Sequence, residues 1–189
     1  MSGLPAIKNS WTRVAMRRIR SFPDDKRHAL IDDIPRSTQN AIARARTDAL
    51  LPAEHAVRVC DALVAVLGSE QAVDFWCEVV QDSYVGGLLE PLVDKLRNGE
   101  LTHGLLDLAS EAWRLSSEHC GEVVLATGTD GRVLLEARDL PPTVRASTGI
   151  QTMFAGALRA MLAFSKLSAN VEIRDQNTDG SIAFALTMR

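Results

Sequence analysis

The chain has no run of 18 apolar residues, no Cys-x-x-Cys pair, no His-x-x-x-His, no Gly-x-Ser-x-Gly and no glycine-rich phosphate loop. Each absence removes a class of function. Without a long apolar run, no membrane-spanning helix is expected, and the N-terminal residues lack the continuous apolar segment of an export signal. The three cysteines, Cys60, Cys77 and Cys120, are odd in number and widely spaced. That pattern suits reduced thiols in a cytoplasm better than a disulfide framework, and Cys60 and Cys77 read as core atoms. The missing motifs leave zinc-protease, serine-hydrolase and nucleotide-binding chemistry without support. Aromatics are scarce, at 5%. A net charge of −3 over 189 residues gives no basic excess to favour nucleic acid.

What is present suits one domain over residues 1–189, long enough to bury about 70% of its unfolded surface. Lys8, Arg13, Arg17, Arg18 and Arg20 fall together with no acid between them, while Trp11, Val14, Ile19 and Phe22 recur at roughly helical intervals. This is a short basic amphipathic segment. It either docks its apolar stripe on the domain and leaves the arginines in water, or serves as an interaction segment through Trp11, Arg13, Arg17 and Arg18. The acids of "FPDDKR" that follow weaken a polybasic anchor.

From there to Ser117 the chain reads as successive helices. Residues 36–49 favour helix, with Ser37 or Thr38 as a cap and Pro52 as a break. Ala56, Val57, Cys60, Leu63, Val64 and Leu67 follow the 3, 4, 7 spacing, and Gly68 is a natural stop. Ser69 can cap the next helix, whose stripe of Ala72, Val73, Trp76, Val80 and Tyr84 ends at Gly86 and Gly87. A weaker segment runs from Leu88 to Leu96, and Thr102 can cap a helix that reaches about Ser117.

The last 70 residues change period. "EVVLAT" (122–127) and "RVLLEAR" (132–138) flank "GTDG", and "NVEIRD" (170–175) and "SIAFALTMR" (181–189) flank "QNTDG". Asp-Gly supplies the positive φ angles that tight hairpins need. Between the hairpins, residues 147–166 make a strong helix with Ile150, Met153, Phe154, Ala157, Met161 and Phe164 on one side and a row of small residues, Gly149, Gly156, Ala160 and Ala163, beside it. The expected fold is α+β. A mainly helical part (1–117) packs beside a hairpin-helix-hairpin part (118–189) that forms a four-stranded antiparallel sheet crossed by the long helix.

That element order, with "LVAVLGSEQAVDFWCEVVQDSY", "GGLLEPLVDKL" and "FAGALRAMLAF…VEI…FALTMR", resembles the haem nitric oxide/oxygen-binding (H-NOX) domain and its superfamily of ligand-binding relatives, which includes four-vinyl-reductase domains. The resemblance covers residues from about 50 to 189 and is strongest to a haem-free branch abundant in myxobacteria. It implies a pocket between helices and sheet. In haem-binding members an axial histidine ends the helix before the first hairpin; the corresponding residue here is Trp113. Those members hold the haem propionates with a Tyr-x-Ser-x-Arg motif, and the matching stretch here is Leu134, Glu136 and Arg138. Only the arginine is kept, and a carboxylate at 136 would repel propionates. No cofactor is therefore expected.

Outside that comparison the same residues have plainer readings. Trp113 shares a stripe with Leu106 and Ala109, as a core tryptophan would; in the functional reading its indole fills or floors the space haem takes in relatives. Arg138 is either a solvated strand-end residue or an anion reader at a pocket rim. Trp76 and Tyr84 share an aliphatic helix face and suit core better than a ligand cage. His103 lies on a polar helix side, His28 and His55 lie among charges, and the His119-Cys120 pair lacks the further ligands a metal needs. No metal site is expected.

The residues that remain support a non-catalytic sensory or regulatory domain binding a small apolar or amphipathic molecule near Trp113, Arg138, Trp76, Tyr84 and Leu134. One alternative is a filled core, with the domain acting as an adaptor or homo-oligomer. Another is a haem-binding gas sensor whose axial ligand is displaced.

Overall fold

In the computed structural model the described residues are 3–83, 90–98, 104–127, 133–164, 169–174 and 181–188. The alternating segments of the C-terminal third form the main sheet. Strands β4 (Glu122–Thr127), β5 (Val133–Arg138), β6 (Ala169–Ile173) and β7 (Ile182–Met188) lie antiparallel in the order β4-β5-β7-β6. The two hairpins therefore join side by side through β5 and β7. Leu135 stands opposite Leu125 on one side and Phe184 on the other, and Ile173 stands opposite Phe184. The expected turns at 128–131 and 176–180 lie outside the described residues.

A helix spans one face of this sheet. Helix α9 (Thr148–Phe164) has 12 of its 17 residues buried, which makes it the centre of the molecule. Ser147 accepts the Ile150 amide at 3.0 Å and donates to Asp61 at 2.6 Å, and Asp61 also accepts the Gly149 amide at 3.1 Å. Two side chains thus satisfy the first donors of α9. In the small-residue row the two glycines pack closely as expected, whereas Ala163 is exposed. A Cβ on Gly149 would overlap the backbone of Cys60 and Asp61 on α4 (Ala53–Leu67), and one on Gly156 would overlap Val73 and Trp76 on α5 (Ser69–Asp82). Close approach of the three helices requires glycine at both places.

Gly68 ends α4 at φ 79°, a left-handed conformation that glycine adopts without a Cβ penalty. Ser69, expected as a cap, is instead the first helical residue of α5 and makes no capping bond. Helix α3 (Arg36–Arg44) likewise starts after Pro35, which leaves Ser37 and Thr38 inside it; Thr38 is buried and bonded to His55 Nδ1 at 3.1 Å. Helices α6 (Glu90–Arg97) and α7 (Leu105–Ser116) match the expected segments, whereas Thr102 lies outside the described residues.

The N-terminal part contains structure that hydrophobic period does not announce. Strand β1 (Ala6–Lys8) is central in a second sheet, between β2 (Leu50–Pro52) and β3 (Ser117–Glu118). Helix α1 (Asn9–Ile19) follows, then α2 (Asp24–Asp33). Buried Asn9 donates to the carbonyls of Ile42, Ala45 and Arg46 at 3.0–3.2 Å, so it closes the C-terminal end of α3. A short helix α8 (Pro142–Arg145) leads into α9. One continuous buried cluster takes residues from Ile7 to Phe184 and so includes both sheets and the helices.

Candidate functional site

The inner face of the sheet, α7, α9 and the start of α1 line a small, partly open cavity. Its walls are Trp11 from α1, Ala109, Ala112 and Trp113 from α7, Val123 from β4, Leu135 from β5, Phe184 from β7, and Phe154, Ala157, Leu158 and Met161 from α9. The free space is about 20 Å³, slightly more than one water molecule needs. Every described wall residue is apolar or aromatic, so water beside them would lack side-chain partners.

Three rings line up through the space. Trp113 lies with its ring centre 4.6 Å from that of Phe154, and Phe154 lies 5.7 Å from Phe184. The Trp113 indole N–H donates to the backbone carbonyl of Cys120 at 3.3 Å, which satisfies its polar atom inside the core. Trp113 is only 3% exposed. Its ring is part of the packing and, at the same time, a wall of the remaining space.

The pleat sorts the other expected pocket residues. Successive side chains alternate across a strand. Since Leu135 points into the cavity, Leu134, Glu136 and Arg138 share the opposite face of β5, and the expected placement of Leu134 and Arg138 in the pocket is corrected accordingly. Glu136 does not face the cavity either, so the repulsion expected of it has no place there. It is nearly buried on the outer face and accepts two bonds from Arg138, at 2.8 and 2.6 Å. Trp76 is fully buried but stands elsewhere, edge-on to Phe75 beneath α9, with no partner for its N–H among the described residues. Tyr84 lies outside the described residues.

The basic N-terminal segment docks on the domain. Trp11 is buried and forms a cavity wall, so it is not available as an exposed interaction residue. Arg13 donates to the Ala45 carbonyl at 2.8 Å, and Arg18 bridges Glu78 and Asp82 of α5. Arg17 stays exposed. Trp11, Phe154 and Phe184 are therefore site residues that sequence reasoning assigned elsewhere. The available signal was that the large-residue faces of α1, α9 and β7 had to converge somewhere.

The polar candidates do not converge. His119 has φ 53° in the turn before β4 and its ring packs against Gly3, while Cys120 is buried and lies 3.4 Å from the Ala6 carbonyl. Burial raises the Cys120 thiol to about 11, which opposes a thiolate ligand. Cys60 is also core, its thiol raised chiefly by burial, whereas Cys77 is only half-buried. His103 lies outside the described residues. Among the described residues no three His, Cys, Asp or Glu side chains gather to hold a metal ion.

Haem does not fit these residues. Among the described residues no imidazole, thiol or cation stands in the cavity wall, Met161 carries the sole sulfur there, and the Trp113–Phe154 ring pair takes up space between α7 and α9. The sheet face that looks inward offers Leu135 where a propionate clamp would need a polar group.

Comparison with solved structures places this architecture. The chain aligns over 97% of its length, and 97% of theirs, with the Fe(II) unliganded H-NOX protein from K. algicida and a single-residue variant of it, at TM-scores of 0.55 and 0.60 and 13% identity. A Cs H-NOX variant carrying 4-cyano-L-phenylalanine aligns over the same share of both chains at 0.55 and 10% identity. The fold is H-NOX-like. No protein-family model and no curated protein sequence matches the chain. No helix among the described residues is long and apolar enough to cross a membrane.

Proposed function

We propose that this H-NOX-like domain is a haem-free, non-catalytic regulatory domain that takes a small apolar molecule in the cavity between α7, α9 and the sheet. The observation that carries this reading is the cavity wall: eleven apolar side chains from six elements, with Trp11 and Trp113 among them. A wall of that kind rewards apolar contact and offers no polar group to orient a larger, functionalised ligand. Catalysis has no support, because acid–base work needs convergent titratable groups and none of the described wall residues is titratable. A cytoplasmic setting suits the three free thiols.

The volume favours a second reading. About 20 Å³ is far below the roughly 300 Å³ at which typical small-molecule sites begin. In this alternative the indole of Trp113 completes the core and the domain acts through its surface, as an adaptor or by self-association. The third reading, haem held by a displaced ligand, is opposed by the lack of an imidazole among the described wall residues.

The experiment is the mass of freshly purified protein under native and then denaturing conditions. A bound molecule adds mass that denaturation removes, and Trp113→Phe, which keeps a ring, changes its retention. Equal masses in both conditions, with Trp113 fluorescence unmoved by small apolar probes such as xenon, support the filled core.

A further inference from the structure

The two outer strands of the main sheet are built differently. β6, five residues long, carries charge: Glu172 lies in it, Arg174 follows it, and the two pair at 3.6 Å. Charges of this kind guard an edge against pairing with another chain. β4 has six residues, Glu122, Val123, Val124, Leu125, Ala126 and Thr127, with its one charge at the very start. It pairs with β5 on one side and is the end strand of the order on the other. No proline, lysine or other guard interrupts Val123–Ala126.

The same strand carries the most exposed large apolar side chain among the described residues of the sheet. Leu125 stands in the cross-sheet row Leu125–Leu135–Phe184–Ile173, whose two middle members are almost wholly buried, while Leu125 at one end is 49% exposed and Ile173 at the other 36%. The row is covered at its middle and open at both ends, more so at β4, and only the β6 end has charges beside it.

We propose that the β4 edge pairs with the β4 edge of a second copy of this chain, antiparallel across a two-fold axis normal to the sheet. The argument for a like partner is self-complementarity. Such an axis keeps the inner faces of both sheets on the same side, so residues meet only in registers centred on a residue. Centred on Val124, Leu125 meets Val123 of the second copy and Glu122 meets Ala126; centred on Leu125, the two leucines meet and Glu122 passes beyond the pairing. In both registers the exposed leucine gains an apolar neighbour and no like charges oppose one another. The main sheet becomes an eight-stranded one. The inference stands independently of what the cavity holds.

The test is sedimentation of the full chain over about 1 to about 100 μM, the range in which modest interfaces associate, beside Leu125→Lys, Leu125→Val and Ile173→Lys. The expected result is a concentration-dependent dimer that Leu125→Lys weakens at least tenfold, while Leu125→Val and Ile173→Lys keep it. Circular dichroism of the variants should match the parent, because both mutated side chains are exposed. Alternate amides of β4 should lose hydrogen-exchange protection on dilution. A monomer throughout, or a dimer that Leu125→Lys leaves intact, overturns the proposal.

Discussion

The indole N–H of Trp113 donates to the carbonyl of Cys120 at 3.3 Å while its ring packs 4.6 Å from Phe154. One residue thereby ties α7 to the turn that starts the main sheet and fills space between α7 and α9. The hydrogen bond contributes about 0.5–1.5 kcal/mol net; burial of the ring contributes more.

Trp113→Ala should therefore cost about 3–5 kcal/mol, against about 1 kcal/mol for Trp113→Phe, which loses the hydrogen bond but keeps a ring. Urea unfolding of both variants checks this. Similar losses for the two would assign the stabilisation to the hydrogen bond and not to the packed ring.

Helix α9 tests the close approach of its neighbours. Gly156→Ala should destabilise by about 1–3 kcal/mol, because the added methyl meets Val73 and Trp76 with no room to yield. Ala160→Gly, in the same row, loses only helix propensity and a methyl. Thermal melting should place Gly156→Ala lowest.

Asp61 reaches the start of α9 from α4, accepting from Ser147 and Gly149. Asp61→Ala should cost about 0.5–2 kcal/mol, as the loss of a cap does. Asp61→Asn retains an acceptor and should recover part of that, as read from denaturant midpoints.

The thiols give a pH dependence with a definite sign. Burial raises Cys120 from 9.0 to about 11, and Cys60 is raised in the same direction. A raised thiol favours the protonated folded state, so its stabilisation is fully present below about pH 9 and is lost as pH rises through about 11. Unfolding free energy should fall over that window. At pH 8, labelling by an alkylating reagent should mark half-buried Cys77 first and leave Cys60 and Cys120 unmarked until unfolding, with the labels counted by mass.

The main sheet and α9 were readable because their signals are long: strict alternation in Ile182–Met188, Asp-Gly between strands, and a wide apolar stripe over Thr148–Phe164. The small sheet was not, since strands of two or three residues, one ending in Pro52, are too short to show a period. The site was half legible. Trp113 could be picked from its helix, but the face of β5 was misread. Leu134 and Leu135 are both apolar, so alternation alone did not choose between them. Glu136 and Arg138, two residues apart on one face, were the signal that this face turns away from the cavity. For Trp11 the sequence leaves two readings, a docked apolar stripe and an interaction segment; its stripe with Val14, Ile19 and Phe22 marks the buried side, and the docked reading holds for Trp11.

The most direct test of the central claim is a titration of the purified protein with hemin, followed by the haem absorbance band and by tryptophan fluorescence. A domain that does not hold haem shows no sharp band, no saturation at one haem per chain and no stoichiometric quenching of Trp11 and Trp113. Saturable uptake of one haem, with an absorbance band of ligated iron and quenched indoles, would contradict that claim.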